Sequence, residues 1–325
     1  AVRDGVLTNS DSDVVLKSGL MLFRIEDLWN DTRANANIIS ILQGYSDPRL
    51  ERWFATNNAD IYSTDDELSP VVEKATKYLG VRQGVPMTRT EYQGYSKTSR
   101  VGIPEQGPRP VLRVAEAYFL RAEGMLRNWN MGDGTPESLY NEGIHSAWAS
   151  VLGDESGWAG TYESYINGFI NTEEGGDFDW ELFEGGFGSA PYINYRNQEY
   201  NYYIEENGKQ VGINRISVRW HDEDSPEKKL QRIITQKWIS FFPTLSSVAW
   251  TEYRRTGYPK LIPIPSDLNY SNGAIDTELQ IRRLPFTQSE YRGNTEEVNK
   301  ALGLLKGPDN GGTRLWWDVD KGNFE

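Results

Sequence analysis

Residues 225–265 constrain the fold more than any other stretch, because they contain two helices with well-marked ends. Ser225 is a favourable N-cap, and Pro226 suits the first helical position, where its missing N–H costs no hydrogen bond. Apolar residues then recur at helical spacing and form one stripe with polar residues beside it. The stripe consists of Leu230, Ile233, Ile234, Trp238 and Phe241, and the polar neighbours are Arg232, Gln236 and Lys237. The pattern predicts an amphipathic helix that Pro243 ends.

A second, shorter helix follows, with Ser246 or Ser247 as its expected cap. Its interior carries Val248, Trp250 and Tyr253. Gly257 permits a left-handed turn and Pro259 prevents any continuation, so the helix is expected to stop there. Arg254 and Arg255 stand at this end, where a guanidinium can satisfy several carbonyls, and we interpret them as structural rather than as an anion site. We likewise interpret four tryptophans as core residues rather than ligand contacts: Trp238, Trp250, Trp316 and Trp317.

Residues 111–153 predict a helical hairpin of the tetratricopeptide type. The first helix carries Leu112, Ala115, Tyr118, Phe119, Ala122 and Leu126; the second starts at Thr135 and Pro136 and carries Leu139, Tyr140, Gly143, Ile144, Ala147, Trp148 and Val151. The small residues allow close approach of the two backbones. One such unit does not bury both of its faces alone, because repeats of this kind need neighbours. We therefore expect other residues to cover it.

The remaining patterns are shorter. Asp31 reads as a cap of a helix that stops at Gly44, and residues 46–48 start another helix through Phe54. Val211, Ile213, Ile216 and Val218 suggest an extended element, and Asn294 with Glu297 resembles a capping box for a last helix through Leu302. The fold class is therefore mostly α, with few short strands and long irregular loops.

Composition excludes several functions. The formal net charge is −13, which disfavours a surface that tracks nucleic-acid phosphates. The chain has no cysteine, so it contains neither disulfides nor thiolate metal sites. Its two histidines, His145 and His221, are not at metal-ligand spacing. We predict no metal site, no cofactor and no nucleic-acid partner.

Two stretches are candidates for a function. Residues 173–184 contain Glu173, Glu174, Asp177, Asp179, Glu181 and Glu184, and paired carboxylates are what glycoside hydrolysis needs. Their spacing is not specific, and an acidic, glycine-rich loop is normally solvated. The other candidates are aromatic residues in loops, where a ring can cover the apolar face of a sugar while an amide reads its hydroxyls. These are Trp158, Trp180, Tyr195, Tyr200, Tyr202 and Tyr203, beside Asn194, Asn197 and Asn201. The same tyrosines would also serve to pack a loop or to bind a partner protein.

Several segments together resemble the SusD/RagB family of outer-membrane nutrient-binding lipoproteins. The most specific is QKWISFFPTLSSVAWTEYRRTGYPKL, at residues 236–261. The run RRLPF at residues 282–286, followed by Glu290, is similar to a further family element, and TRLWWD at residues 313–318 looks like the family's closing tryptophan pair. Asp31-Thr32-Arg33 and GYSDPRL at residues 44–50 match one branch of the family.

The resemblance implies one SusD-like domain over residues 1–325, with the tetratricopeptide-like hairpin at 111–153 and a loop-rich C-terminal subdomain at 154–325. It implies a surface-exposed outer-membrane lipoprotein, not an enzyme, that binds an oligosaccharide or peptide and passes it to a SusC-type TonB-dependent transporter. A carbohydrate-active enzyme and a purely structural repeat subunit are the alternatives. Family length and the need for about three repeats lead us to expect roughly 200 further residues upstream, with the lipid anchor outside this chain.

Overall fold

The computed structural model describes residues 13–16, 32–45, 47–56, 78, 80, 81, 83, 88, 92–99, 109–152, 204–206, 209–211, 216–264, 269–272, 274–277, 279–319 and 321–325. The chain divides into two compact units. The larger unit comprises Ala1–Val81, Met87–Ile262 and Phe324, and the smaller unit comprises Arg82–Pro86, Pro263–Asn323 and Glu325.

The described elements are mainly helical, as the sequence predicted. In the larger unit they are β1 (Val14–Leu16), α1 (Ala36–Gly44), α2 (Arg49–Trp53), β2 (Arg109–Leu112), α3 (Val114–Leu126), α4 (Pro136–Leu152), β3 (Ile204–Glu206), β4 (Lys209–Val211), α5 (Pro226–Ser240) and α6 (Ser246–Thr256). The smaller unit contributes α7 (Gln288–Gly293) and α8 (Thr295–Leu304). The strands form two antiparallel pairs, β1 with β2 and β3 with β4. Few short strands among helices is the predicted fold class.

Helix α5 is the centre of the larger unit, and its predicted ends are confirmed. The Ser225 hydroxyl accepts a hydrogen bond from the Lys228 backbone N–H at 3.3 Å, and Pro226 is the first helical residue. The predicted stripe is buried, with Leu230, Ile233 and Ile234 inaccessible to solvent. The stripe therefore packs into the core as its spacing indicates.

The polar residues of α5 are also buried, which the amphipathic pattern did not predict. Arg232, Gln236 and Lys237 are each about as inaccessible as the apolar stripe. The Arg232 Nε donates to the Arg219 carbonyl at 2.7 Å, and Gln236 Oε1 accepts from Arg49 Nη2 at 3.3 Å. Neighbouring elements thus provide a partner for each long polar side chain, so α5 is enclosed on both faces.

Helix α6 ends as expected but begins differently. Gly257 is left-handed with φ 75°, and its N–H donates to the Tyr253 carbonyl. Neither serine caps the start: Leu245 is the N-cap residue, without a side-chain hydrogen bond, and Ser246 already lies in the helix. The turns after α5 lead directly into α6, because the Leu245 N–H donates to the Phe241 carbonyl.

The hairpin of α3 and α4 is confirmed. The Thr135 hydroxyl accepts from the Ser138 N–H at 3.0 Å and starts α4. A Cβ on Gly143 would lie 2.7 Å from the Phe119 ring, so the glycine permits the predicted close approach. Leu112 was assigned to the first helix and instead lies in β2, since α3 begins at Val114.

Other elements of the same chain cover the predicted apolar stripes of this hairpin. Helix α5 packs on both α3 and α4, and α2 packs on α4. Tyr140 is fully buried; its ring lies 5.4 Å from that of Trp220, and its hydroxyl donates to the Val218 carbonyl at 2.6 Å. Among the residues that the structure describes, the predicted stripe is buried or half-buried except at Leu112. An extended element was expected at Val211, Ile213, Ile216 and Val218. Val211 ends β4 and Ile213 lies outside the described residues, whereas Ile216 and Val218 belong to no strand; Val218 is part of this cover.

Shorter predictions are partly confirmed. Helix α1 ends at Gly44 as expected, and the Asn35 side chain accepts from the Asn37 N–H at its start; Asp31 lies outside the described residues. Asp47 accepts from the Arg49 N–H at the start of α2. Helix α8 follows Asn294 but extends to Leu304, and Asn294 makes no side-chain capping bond.

Candidate functional site

The six predicted ligand-binding aromatics lie outside the described residues. These are Trp158, Trp180, Tyr195, Tyr200, Tyr202 and Tyr203, and the same holds for Asn194, Asn197, Asn201 and the carboxylates of residues 173–184. Their arrangement therefore stays a prediction.

Exposed aromatic side chains are found at three places among the described residues. Trp129 lies on the turn between α3 and α4 of the larger unit, and Tyr270 lies in a turn of the smaller unit. Trp316 and Trp317 lie in a turn of the smaller unit, with 83% and 58% of their surface exposed. The prediction that this tryptophan pair belongs to the core is wrong, whereas Trp238 is half-buried against the core and Trp250 is half-buried beside Tyr253.

The loop that carries Trp129 is held by Arg121. Its Nε donates to the Met131 carbonyl at 3.0 Å, and its Nη2 donates to the Asp133 carbonyl at 2.8 Å. Gly132 and Gly134 adopt positive φ in the same loop. A buried guanidinium thereby supplies the donors for a turn without regular structure, and the indole at its tip is a single exposed ring.

The tryptophan pair occupies the two central positions of a tight turn. The Asp318 N–H donates to the Leu315 carbonyl at 2.9 Å, which closes the turn around Trp316 and Trp317. The two indoles meet edge to face, with ring centroids 5.3 Å apart and an interplanar angle of 89°. The rings form an open right-angled corner, which we call the Trp316–Trp317 corner.

Two arginine side chains fix this turn by binding the carboxylate of Asp318. Arg282 Nε donates to Asp318 Oδ2 at 2.7 Å, and Arg314 Nη1 donates to Asp318 Oδ1 at 3.0 Å. Burial favours the protonated form of Asp318, but the hydrogen bonds and charges of the two arginines outweigh it and lower the pKa of the carboxyl. Asp318 is therefore ionised and fully occupied at neutral pH.

The arginine at the end of α6 forms ion pairs instead of binding carbonyls. Arg255 donates to both oxygens of Glu123 at 2.6 and 2.7 Å and to Glu252 at 2.7 Å. Burial opposes ionisation of Glu123, but Arg255 and Arg127 outweigh it and lower the pKa of Glu123. The predicted structural role fits Arg255, but its partners are carboxylates on α3 and α6.

Lys237 of α5 extends this network. Its Nζ lies 3.3 Å from Glu252 and 3.7 Å from Glu116, and the lysine is 1% exposed. Burial raises the pKa of Glu116, although the Lys237 charge opposes the rise. These ions neutralise one another inside the larger unit and present no site for an anionic ligand.

Ser217, His221 and Glu223 resemble a catalytic triad in atom order but not in environment. Ser217 Oγ lies 3.4 Å from His221 Nε2, and His221 Nδ1 lies 3.3 Å from Glu223 Oε1. However, Ser217 is 2% exposed, and its hydroxyl donates to the Arg219 carbonyl while accepting from Arg232 Nη2. A nucleophile must reach its substrate and pass its proton to the base. This hydroxyl does neither, so the cluster fixes the segment before α5.

Three further observations concern histidine, metal ions and the membrane. His145 is half-exposed, with its Nδ1 4.0 Å from Glu142. The described ranges contain no group of three or more histidine and acidic side chains that would hold a metal ion. Within the same ranges, no helix combines the length and the apolar character that crossing a bilayer requires.

One protein-family model matches most of the chain. The SusD-like family model, described as SusD and RagB outer membrane lipoprotein, matches residues 1–165 and 187–318. No curated protein matches the chain.

Solved structures match over the whole chain. A chitin-binding SusD homolog from Flavobacterium johnsoniae has a TM-score of 0.70 at 35% identity, covering 100% of this chain and 58% of its own. A SusD homolog from Bacteroides vulgatus has a TM-score of 0.68 at 32% identity, covering 98% and 56%. A third, from Bacteroides thetaiotaomicron, has a TM-score of 0.70 at 28% identity, covering 98% and 59%. The chain thus spans less than two thirds of each of these relatives.

Proposed function

Because the chain belongs to the SusD/RagB family of outer membrane lipoproteins, we propose that its protein captures an oligosaccharide at the outer-membrane surface and delivers it to a SusC-type TonB-dependent transporter. The observation that carries the proposal is the match, at 35% identity over the full chain, to a homolog whose name states that it binds chitin. The proteins of this family bind nutrients and are not enzymes. The transporter and the ligand class belong to the proposal.

The ligand-binding residues that we propose are Trp158, Trp180, Tyr195, Tyr200, Tyr202 and Tyr203. An aromatic ring offers a flat apolar face that matches the C–H face of a pyranose, and the amides of Asn194, Asn197 and Asn201 offer donors and acceptors for hydroxyl groups. The charged clusters around Arg255 and Lys237 support this assignment indirectly. Their charges are neutralised internally, so these two clusters offer no charged partner to a ligand.

Calorimetric titration of the full-length protein with neutral hexasaccharides, including the N-acetylglucosamine hexamer, tests the proposal. We expect saturable binding with no new reducing ends over several hours. Replacing Trp180 or Tyr203 with Ala should weaken binding by on the order of 1 to 3 kcal/mol, as loss of a stacking platform does elsewhere. Tyr270→Ala, at an exposed tyrosine far from these residues in the sequence, is the matched control and should bind as the unaltered protein does.

Other outcomes identify the alternatives. Reducing ends that accumulate, and that disappear when one carboxylate of residues 173–184 is changed to its amide, would establish a carbohydrate-active enzyme. Binding of peptides but of no oligosaccharide would establish a peptide-binding member of the family. Unchanged affinity in both aromatic variants would remove Trp180 and the tyrosine-rich stretch, residues 192–203, from the site.

A further inference from the structure

The Trp316–Trp317 corner combines an unusual position with an unusual exposure. The central positions of tight turns favour Gly, Pro, Asn, Asp and Ser, each for a backbone reason that tryptophan does not share. Here both positions hold indoles, and neither ring is folded back onto the smaller unit, since 83% and 58% of their surfaces are exposed. A turn that only reversed the chain would need neither ring. Their presence indicates a surface built for contact.

The backbone beneath the corner is held on both sides. Before the turn, the Thr313 hydroxyl donates to the Pro308 carbonyl at 2.5 Å, and the Thr313 N–H donates to Asn310 Oδ1 at 3.1 Å. After it, Asp318 binds Arg282, a residue that is itself only 8% exposed. Both indoles are therefore carried by a fixed backbone, and little backbone conformational entropy remains to be lost when they bind a ligand.

The charges beside the corner argue for an uncharged ligand. Asp318 forms ion pairs with both Arg282 and Arg314, so all three side chains are engaged in one cluster, which carries a single net positive charge. What the turn presents to solvent is mainly two apolar ring faces, with the indole N–H groups as hydrogen-bond donors. A charged ligand would have to compete with these existing ion pairs, whereas a neutral ligand can contact the rings without disturbing them.

The size of the corner argues against a protein as its occupant. Two aromatic side chains bury at most about 500 Å² together, whereas a specific protein interface needs about 1,000 Å² or more. A right-angled pair of rings instead suits a single sugar ring, which can lie flat on one indole and touch the edge of the other. Pyranose C–H faces are apolar, while hydroxyl groups at the ring edge stay in water.

We propose that the Trp316–Trp317 corner is a carbohydrate-contacting subsite, separate in sequence from the tyrosine-rich stretch, that takes one ring of a neutral oligosaccharide. The ligand class rests on the proposed function, whereas the assignment of the site rests on the geometry of the turn. The two indoles act as the contact surface, and Arg282, Asp318 and Arg314 fix the turn that carries them.

The test compares four forms of the full-length protein: unaltered, Trp316→Ala/Trp317→Ala, Trp316→Tyr/Trp317→Tyr and Trp129→Ala. Each is titrated with the neutral hexasaccharides named above. We expect the double alanine variant to bind at least about fivefold more weakly, because both stacking faces are lost. The double tyrosine variant should retain most of the affinity. Trp129→Ala removes another exposed indole and should change nothing. All four should keep the same thermal midpoint, since these side chains are solvent-exposed.

A direct measurement accompanies the titration. In amide correlation spectra, the indole N–H signals of Trp316 and Trp317, assigned from single Trp→Tyr variants, should shift on addition of the hexasaccharide that binds, while the Trp129 signal should not. Unchanged affinity in the double alanine variant, with unmoved indole signals, would overturn the subsite. If Trp180→Ala still weakened binding, the proposed function would stand without it. Failure of the unaltered protein to bind any oligosaccharide would overturn both.

Discussion

Arg49 and Asp47 form an ion pair with no solvent exposure on either side chain. Arg49 Nη2 lies 2.6 Å from Asp47 Oδ2 and also donates to Gln236 of α5, while its guanidinium lies 5.5 Å from the centre of the Trp53 ring. The pair thus links the start of α2 to the central helix. Such pairs contribute little beyond an apolar substitute, but losing one partner leaves a buried, uncompensated charge.

Asp47→Asn should therefore destabilise the protein by about 3 kcal/mol, at the lower end of what breaking a buried pair costs. The amide keeps the volume and an acceptor for the Arg49 N–H, so the loss reports charge rather than shape. Urea denaturation measures the loss, and the dependence of the unfolding free energy on urea concentration should be the same in both proteins. Asp47→Asn/Arg49→Met is the control and should recover most of the loss. A cost below about 1 kcal/mol for the single variant would show that water or another group compensates Arg49.

At the scale of elements, two helical glycines distinguish the effect of packing on stability from the effect of helix propensity. A Cβ on Gly143 of α4 would press on the Phe119 ring of α3, whereas a Cβ on Gly303 of α8 would meet nothing within 4 Å. Gly143→Ala should cost about 1–3 kcal/mol through overpacking, and Gly303→Ala should stabilise by roughly 0.5–1 kcal/mol through helix propensity. Thermal unfolding of both variants checks this. Equal effects of the two substitutions would mean that α3 can move away from α4 at no cost.

Helix α3 also carries two carboxyl groups whose pKa values move in opposite directions. Burial raises the pKa of Glu116 above 4.5, while Arg255 and Arg127 outweigh burial and lower the pKa of Glu123 below 4.5. A carboxyl group whose pKa is lower in the folded than in the unfolded state stabilises the fold at pH values above its unfolded-state pKa. This stabilisation is lost as the pH falls through the folded-state pKa. A group whose pKa is higher in the folded state stabilises the fold at pH values below its unfolded-state pKa. This stabilisation is lost as the pH rises through the folded-state pKa.

The two glutamine variants should consequently show opposite pH profiles. The stability of the unaltered protein relative to Glu123→Gln should increase as pH rises toward and past 4.5. Relative to Glu116→Gln it should be greatest below 4.5 and decrease as pH rises beyond that value. Urea titrations between acidic and neutral pH provide both curves. Parallel curves would contradict the assignment of the two shifts to different neighbours.

At the scale of the whole molecule, net charge makes a prediction about the ligand. The chain carries −13, and the charged clusters described above are paired internally. At 0.1 M salt, interactions between exposed charges are largely screened beyond about 10 Å, whereas the stacking of a neutral sugar is not weakened. Affinity for the hexasaccharide that binds should thus change less than about twofold between 50 and 500 mM salt. A steep decrease with salt, in the same calorimetric titration, would indicate a charged ligand and contradict a neutral oligosaccharide.

Local signals determined a large part of this protein. The cap at Ser225, the left-handed Gly257 and the helical spacing of the apolar stripe of α5 all follow from short-range backbone geometry and helical period. Such features depend on residues within a few turns of one another, so one sequence is enough to locate them. The binding residues at 158–203 remain predictions of the same kind, since they rest on residue type and neighbourhood alone.

Only the tertiary structure decided where partners lie across the chain. Periodicity places Lys237 beside an apolar stripe, but its burial depends on Glu116 and Glu252 from two other helices. Adjacent tryptophans suggest a core, yet a turn held by Arg282, distant in sequence, turns both indoles outward. Sequence specifies which side chains seek a partner or an apolar surface. Which of them find one is determined by long-range packing, because desolvation and pairing depend on residues that meet only when the chain has folded.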